Sequence, residues 1–307
     1  MNLKQPISCL SSSSPIHCLV YALVIFLTST TISASYGGGN DMDQQALLKI
    51  KSMITKDPYG ALTSWNNSRH FCDWRGVTCG KRHRRVVYLQ LISQGLEGSL
   101  SPHVGNLSFL HGVSLFNNSF RGALPHELGR LWRLRFLSLE LNKFSGVIPS
   151  NISGCSNLEG INLSSNELVG SIPKEISFLS KLTIVSLHDN KLTGGIPRFL
   201  GNITSIEEFS AAGNMFCGSI PDTLGHWKSL RVFLLGDCNL NGSIPHSLYN
   251  NSLLARFSLA QNQLTGSLHP AIGAMLPNLV GIQLRGNHLT GPLPVDYIIR
   301  SWVKHKP

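Results

Sequence analysis

Ser186, His188 and Asp189 bring a hydroxyl, an imidazole and a carboxylate within four residues, the side-chain set that acyl-transfer enzymes use. Such sets work by geometry. Three near neighbours on one extended segment cannot pass a proton along a line, and no oxyanion arrangement accompanies them. The twelve histidines do not gather at metal-ligand spacing. Neither metal nor cofactor is expected, and the chain reads as non-enzymatic. Cys72 and Cys79 lie close together and are expected to form a disulfide in an oxidising compartment. Cys155, Cys217 and Cys238 read as structural, and a Cys217–Cys238 bond is disfavoured because their side chains should point differently.

The strongest charge run is Lys81-Arg82-His83-Arg84-Arg85. A basic run is either a solvated loop or a contact for a polyanion. The formal net charge of +10 suits a soluble protein and gives little support to nucleic acid as a partner.

What positions these residues is a repeat. LSSNELVGSIP at Leu163–Pro173 has counterparts starting at Leu91, Leu115, Leu139, Leu187, Ala211, Leu235, Leu259 and Leu284, 24 residues apart except for a last step of 25. Nine copies at this period fall in the leucine-rich-repeat range. In Leu158–Pro173, Ile161 and Leu163 alternate with polar neighbours, as in a short strand with one buried face. Parallel stacking about 4.8 Å apart turns each inward position into a ladder. Asn118, Asn142, Asn166, Asn190, Asn214, Asn262 and Asn287 form one such ladder, in which Cys238 replaces the asparagine of one repeat. An amide both donates and accepts, so it can satisfy backbone groups that lose sheet partners where the chain turns. A glycine recurs from Gly98 to Gly291 for a conformation or a close approach that a side chain would obstruct. The following proline limits further strand pairing and leaves room for a short helical turn.

Residues 1–35 read as a secretory signal peptide, with Leu19–Leu27 as an apolar core too short to span a bilayer. No later segment reads as a membrane span. Eight sequons, at Asn66, Asn106, Asn117, Asn151, Asn162, Asn202, Asn241 and Asn250, fit an exported glycoprotein. Asp43–Ile54 has helical spacing with Asp41 or Asp43 as N-cap, and Trp65 and Trp74 should cover the first repeat.

The LxxLxLxxNxLxGxIP unit, preceded by ALTSWNNSRHFCDWRGVTCGKRHRRVVYLQL, resembles the plant leucine-rich-repeat receptor-like kinases, especially their elicitor-sensing subgroup. The resemblance implies an α/β leucine-rich-repeat solenoid, a right-handed curved superhelix with a parallel concave β-sheet. It places an N-terminal cap at 41–85, nine plant-type repeats at 86–294 and an atypical tail at 295–307. It implies extracellular recognition of a peptide, protein or glycan-derived ligand, with a short-repeat co-receptor kinase as second partner. It also implies a secreted location, or the plasma membrane for a full-length receptor. The family continues into further repeats, a membrane helix and a kinase. Here VDYIIRSWVKHKP follows Pro294, and no kinase motif is present. We expect a truncated product rather than a short secreted paralogue. The alternatives are a secreted inhibitor of microbial wall-degrading enzymes and a decoy receptor. Residues expected to face a ligand are Phe116, Glu140, His188, Asp189, Gly236, Asp237, Arg256 and Arg285. Variation on a fixed frame suits recognition, although unconstrained solvent positions also vary. The glycan expected at Asn162 would move binding to the later stretch from His188 to Arg285.

Overall fold

Gly160–Asn162 extends as a strand, and the backbone then turns through Ser165, whose φ is 52°. A second strand follows at Glu167–Gly170, and after Pro173 the chain winds a 3₁₀ turn, Lys174–Phe178. The computed structural model of this protein describes residues 39–292. The expected signal peptide, the tail at 295–307 and the last two residues of the repeat array lie outside the described residues.

The first strands of successive repeats build a ten-stranded sheet. Val185 pairs in parallel with Ile161 on one side and Phe209 on the other. Inward residues of these strands are buried from Leu89 to Phe257 and partly buried at Ile282, and each large apolar side chain fully buried contributes about 1.5–3 kcal/mol. Later repeats fill the same ladder with rings: Phe209, Phe233 and Phe257 stack at 6.1 and 5.9 Å. Trp227 lies 5.2 Å from Phe209, and its buried indole N–H donates to the Leu200 carbonyl at 3.0 Å.

The second half of each repeat corrects an expectation. We expected only a glycine bend and a helical turn there. Instead Glu97–Gly98, Ser119–Ala123, Lys143–Val147, Glu167–Gly170, Lys191–Gly195, Met215–Ser219, Asn239–Ser243 and Gln263–Thr265 pair in parallel as eight of the strands in a nine-stranded sheet. The signal was present in NxLxGxIP itself, whose Leu, Gly and Ile recur at period two, the strand period. Phe120, Phe144, Leu168, Leu192, Phe216, Leu240 and Leu264 all point inward and are buried. The glycine in each strand is required by conformation: Gly218 has φ 77°, although a Cβ there would meet nothing within 4 Å.

The turn between the sheets is held by the asparagines. Asn166 Nδ2 donates to the carbonyls of Leu139, Leu163 and Ser164 at 3.0, 3.1 and 3.0 Å. Its Oδ1 accepts from the Phe144 N–H of the preceding repeat at 2.9 Å. Asn142, Asn190 and Asn262 repeat this pattern, and the carbonyls of Leu115, Leu139, Leu163, Leu187 and Leu259 are each shared by the amide of their own repeat and the next. At Cys238 a thiol stands in, its Sγ 3.6 and 3.5 Å from the carbonyls of Ala211 and Gly236.

The cap seals both sheets. Val77–Cys79 pairs antiparallel with Val86–Gln90, and Ile54–Lys56 pairs antiparallel with Glu97–Gly98. The first repeat strand of each sheet is thereby paired, and the edge at this end is reduced to a strand of only three residues, a short template for foreign strands. Trp65 and Trp74 are buried and stack 5.4 Å apart. Cys72 and Cys79 are joined, with Cα atoms 5.5 Å apart. The cap helix runs Gly39–Ser52, so neither Asp41 nor Asp43 is its N-cap, and Ile54 belongs to a strand. Asp43 is instead fully buried and takes both Arg85 Nη2 at 2.7 Å and Arg85 Nε at 2.9 Å. It also accepts from the Val86 N–H at 2.8 Å. The helix is thus pinned to the first repeat strand by a charge with all its partners inside.

The irregular last step also has a packing cause. Tyr249 stands in the register of Gly105, Gly129, Gly201 and Gly225. A Cβ at Gly201 would come within 2.3 Å of the next turn's backbone. The turn after Tyr249 is displaced accordingly: one residue is inserted, His269 replaces the proline, and Ile272–Met275 forms a short α-helix.

Two substitutions test the ladder. Asn166→Leu strands the Phe144 N–H and should lower unfolding free energy by about 2 kcal/mol. Cys238→Asn restores the amide pattern of the neighbouring repeats and should raise it by about 1 kcal/mol. Urea denaturation of the two variants beside the parent chain measures both.

Candidate functional site

The outward positions of the ten-stranded sheet form parallel rows whose composition is set by the backbone beneath. The row just before each ladder asparagine is left-handed: Ser93, Asn117, Leu141, Ser165, Asp189, Asp237 and Gln261 have φ between 52° and 55°, and Gly213 and Gly286 complete the row. Asn, Asp and Gly tolerate that region best. Asp189 and Asp237, expected as ligand contacts, therefore already have a backbone reason for their type. Leu141 does not, since a left-handed leucine costs roughly 1–2 kcal/mol, and it is 47 % exposed.

Phe116, Glu140, His188, Gly236 and Arg285 occupy one row together with Ala212 and Ala260. Arg256 sits in a different row, paired in register with Val232 and Gly281. Gly236 and Ala260 are buried under that surface, leaving a low floor between His188 and Arg285. His188 Nδ1 lies 2.8 Å from Asp189 Oδ2. Asp189 in turn leans over Gly213, where a Cβ would fall 2.5 Å from its Oδ1. Among the described residues no hydrogen bond joins the Ser186 hydroxyl to this pair, so the hydroxyl, imidazole and carboxylate are not a relay.

Several outward residues were missed. Phe136 and Ile184 are exposed on either side of Gly160, and the Phe136 ring fills the space above it, 3.1 Å from where a Cβ would stand. Arg135 makes two hydrogen bonds to the Glu159 carboxylate at 2.7 and 2.9 Å. That bond holds the Glu159 carboxyl below its ordinary range. Arg231 stands 3.7 Å from Glu207. These charges precede the strand residues, a row that alternation alone does not assign to the outer surface.

Of the eight sequon asparagines, Asn162 lies on a strand of the ten-stranded sheet. It is half-buried, its Nδ2 donates to the Glu140 carboxylate, and its Oδ1 accepts from the Ser164 N–H at 3.1 Å. Asn106, Asn151, Asn202 and Asn250 are all exposed in the 3₁₀ turns. Asn66 is exposed in the cap, Asn241 on the nine-stranded sheet and Asn117 in the left-handed row. Arg85, the last residue of the basic run, is not solvated; it is the partner of Asp43 and also lies 4.6 Å over Phe109.

Among the described residues no group of three or more His, Cys, Asp or Glu could hold a metal ion. No described helix is long and apolar enough to cross a membrane. Cys155 is buried, with Sγ 3.1 Å from the Leu128 carbonyl, and burial pushes its thiol up to about 12. Burial pushes the Cys238 thiol up as well. Cys217 is exposed, and all three are free thiols, so no Cys217–Cys238 bond forms.

Family models for the leucine rich repeat N-terminal domain match residues 40–80, and models for the leucine rich repeat match 132–192 and 229–251. The chain therefore carries leucine-rich repeats and the N-terminal domain that precedes them. It is 43% identical over 116 residues to the LRR receptor-like serine/threonine-protein kinase EFR of Arabidopsis thaliana, covering 38% of this chain and 11% of that protein. The chain spans about a tenth of the length of the curated kinases it matches. Among solved structures it resembles the Arabidopsis receptor kinase HAESA in complex with the peptide hormone IDA and the co-receptor SERK1. The TM-score is 0.77 at 34% identity, over 83% of this chain and 43% of that one. A plant ice-binding protein is similar at 26% identity and a TM-score of 0.68, over 83% of this chain and 89% of its own. This leucine-rich-repeat chain thus shares its repeat frame with receptor ectodomains and with a protein of similar extent.

The cysteine environments predict their reactivity. A raised thiol pKa means that less thiolate is present at pH 8, and thiolate is the nucleophile. Iodoacetamide on the native protein should therefore modify Cys217 alone among the three described free thiols. Cys155 and Cys238 should react only after denaturation, as read by peptide mass mapping.

Proposed function

We infer that this protein recognises an extracellular ligand on the outer face of the ten-stranded sheet, and that the ligand is an extended peptide. The observation that carries this reading is the low floor of Ala212, Gly236 and Ala260, bounded by His188 at one end and Arg285 at the other. Small side chains there let a ligand main chain approach the sheet, while Asp237, Arg256 and Arg285 are exposed beside it. Four steps between the repeats of His188 and Arg285 give a track of roughly 19 Å, the length of about six extended residues. The similar HAESA structure holds a peptide hormone, which supports the ligand class. A co-receptor is the second partner, again by likeness to that complex. As part of a receptor for defence or developmental signalling, the chain would supply recognition and leave signalling to other domains.

A second reading, a free-standing secreted binder such as an inhibitor of wall-degrading enzymes or a decoy, is favoured by one observation. The solved plant ice-binding protein is matched over 89% of its own chain, so nearly the whole of that solved binder is built on this repeat frame.

The test is a thermal-shift screen of the full chain against synthetic extracellular signalling peptides and purified polygalacturonases. A peptide hit is expected whose affinity falls about tenfold or more on Arg256→Glu with Arg285→Glu, the loss typical of an interface hot spot. A hit indifferent to that pair, or binding confined to a polygalacturonase, rejects the peptide reading.

A further inference from the structure

We propose that the N-terminal cap carries a second interaction surface, a docking patch for an acidic polysaccharide of the uronic-acid class. It is separate from the ten-stranded face and relies only on an extracellular setting for the chain.

The patch joins two stretches that the sequence keeps apart. Arg69 and His70 are exposed just before the disulfide, and Lys81, Arg82, His83 and Arg84 are exposed just after it. The Cys72–Cys79 bond brings the two together, and Arg84 Nη2 lies 3.5 Å from His70 Nδ1. The second stretch is a tight turn: the Arg84 N–H donates to the Gly80 carbonyl at 2.9 Å, and the Gly80 N–H donates to the Arg85 carbonyl at 2.9 Å. Arg84 itself is left-handed, with φ 49°. On the other side, the Cys72 N–H donates to His70 Nδ1 at 3.2 Å, and the His70 ring stacks on buried Phe71 at 4.3 Å. The cations therefore project from a braced backbone, which lowers the ordering cost of binding.

Their charge is unspent. Among the described residues, none of Arg69, Arg75, Lys81, Arg82 and Arg84 forms an ion pair within 4.0 Å. Asp73 is exposed in the same loop and pairs with none of them. Arg85, by contrast, is taken by Asp43, which fixes the inner end of the run. Four outward positions and one inward anchor are how a structural loop would present charge to a partner.

The chemistry of the patch selects among polyanions. Single-stranded nucleic acid needs exposed rings for stacking, yet the nearby aromatic Phe109 is already covered by Arg85 at 4.6 Å and Arg133 at 4.4 Å. A membrane surface is bound by inserted apolar side chains together with cations. No large exposed hydrophobic residue falls between Arg69 and Arg84. A hydrated polymer of spaced carboxylates asks for neither, and guanidinium groups bind carboxylates in a planar fork.

The experiment measures binding of the full chain to immobilised oligogalacturonate by biolayer interferometry. Retention is expected at low salt and should be lost at about 0.5 M salt, where the screening length falls to roughly 4 Å. Lys81→Ser, Arg82→Ser and Arg84→Asn together should weaken it about tenfold, the summed effect expected of a few exposed charge pairs. Lys81→Ser with Arg82→Ser spares the left-handed residue, keeps the test valid if the triple variant misfolds, and should weaken binding about fivefold. Arg256→Ser with Arg285→Ser should leave it unchanged. Fully methyl-esterified polymer should not bind. The proposal is overturned by no retention of the parent chain, by unchanged affinity in the double variant, by equal binding of the methyl ester, or by stronger binding to phosphatidylserine vesicles.

Discussion

One side-chain amide per turn decides whether this chain can coil at all. Where each repeat leaves the ten-stranded sheet, its backbone reverses through a left-handed residue, and the N–H two residues past the preceding repeat's amide has no strand to pair with. The Oδ1 of Asn142, Asn166, Asn190, Asn214 and Asn262 takes that N–H in one repeat after another. Apolar burial drives the turns together, but it is non-directional and would tolerate a slipped register. The amide is directional and fits only one register. The Cys238 turn shows the limit of substitution: a thiol can approach the same carbonyls, at longer distance, inside a run of intact neighbours.

The same constraint sorts the surface. A left-handed residue must precede every ladder position, so Asp189, Asp237 and Asn117 are selected partly by φ. The row containing His188 and Arg285 is under no such demand, and neither is the row of Phe136, Ile184 and Arg256. Freedom from backbone selection is what makes those side chains informative about a partner. Leu141 runs the other way. A branched side chain held left-handed with nearly half its surface in water gains nothing from folding, and such positions concentrate where a surface has work beyond stability.

Much of the frame was legible because the repeat amplifies weak signals. One Asn among leucines is ambiguous; seven at fixed spacing leave only a structural account, and the bonds of Asn166 match it. The second sheet was legible in principle, through the period of Leu, Gly and Ile, but glycine and proline read as strand breakers when taken singly. The fate of Arg85 was not legible. Five basic residues in a row look alike in a string, and only the position of Asp43, 42 residues earlier, separates the last from the rest. The outward charges Arg135, Glu159, Glu207 and Arg231 escaped for a related reason: they precede the strands, where alternation assigns no face. The residues expected to face a ligand share the outer side of the ten-stranded sheet but fall in mixed rows, because a row is fixed by pairing across repeats.

Closure at the cap links the two proposed surfaces. A parallel coil has to begin somewhere, and its first strand exposes an unpaired edge on each sheet. Here both edges are met by antiparallel strands from one short cap, at Val77–Cys79 and Ile54–Lys56. An antiparallel partner needs the chain to turn back within a few residues, and that return is the loop Gly80–Arg85. The loop is therefore exposed for topological reasons, whatever its sequence. Filling it with cations adds nothing to closure, since the disulfide and the Asp43–Arg85 pair already hold it, and like charges side by side oppose folding. A stability argument accounts for Arg85 and stops there; the outward charges at Lys81, Arg82 and Arg84 call for a partner outside the fold.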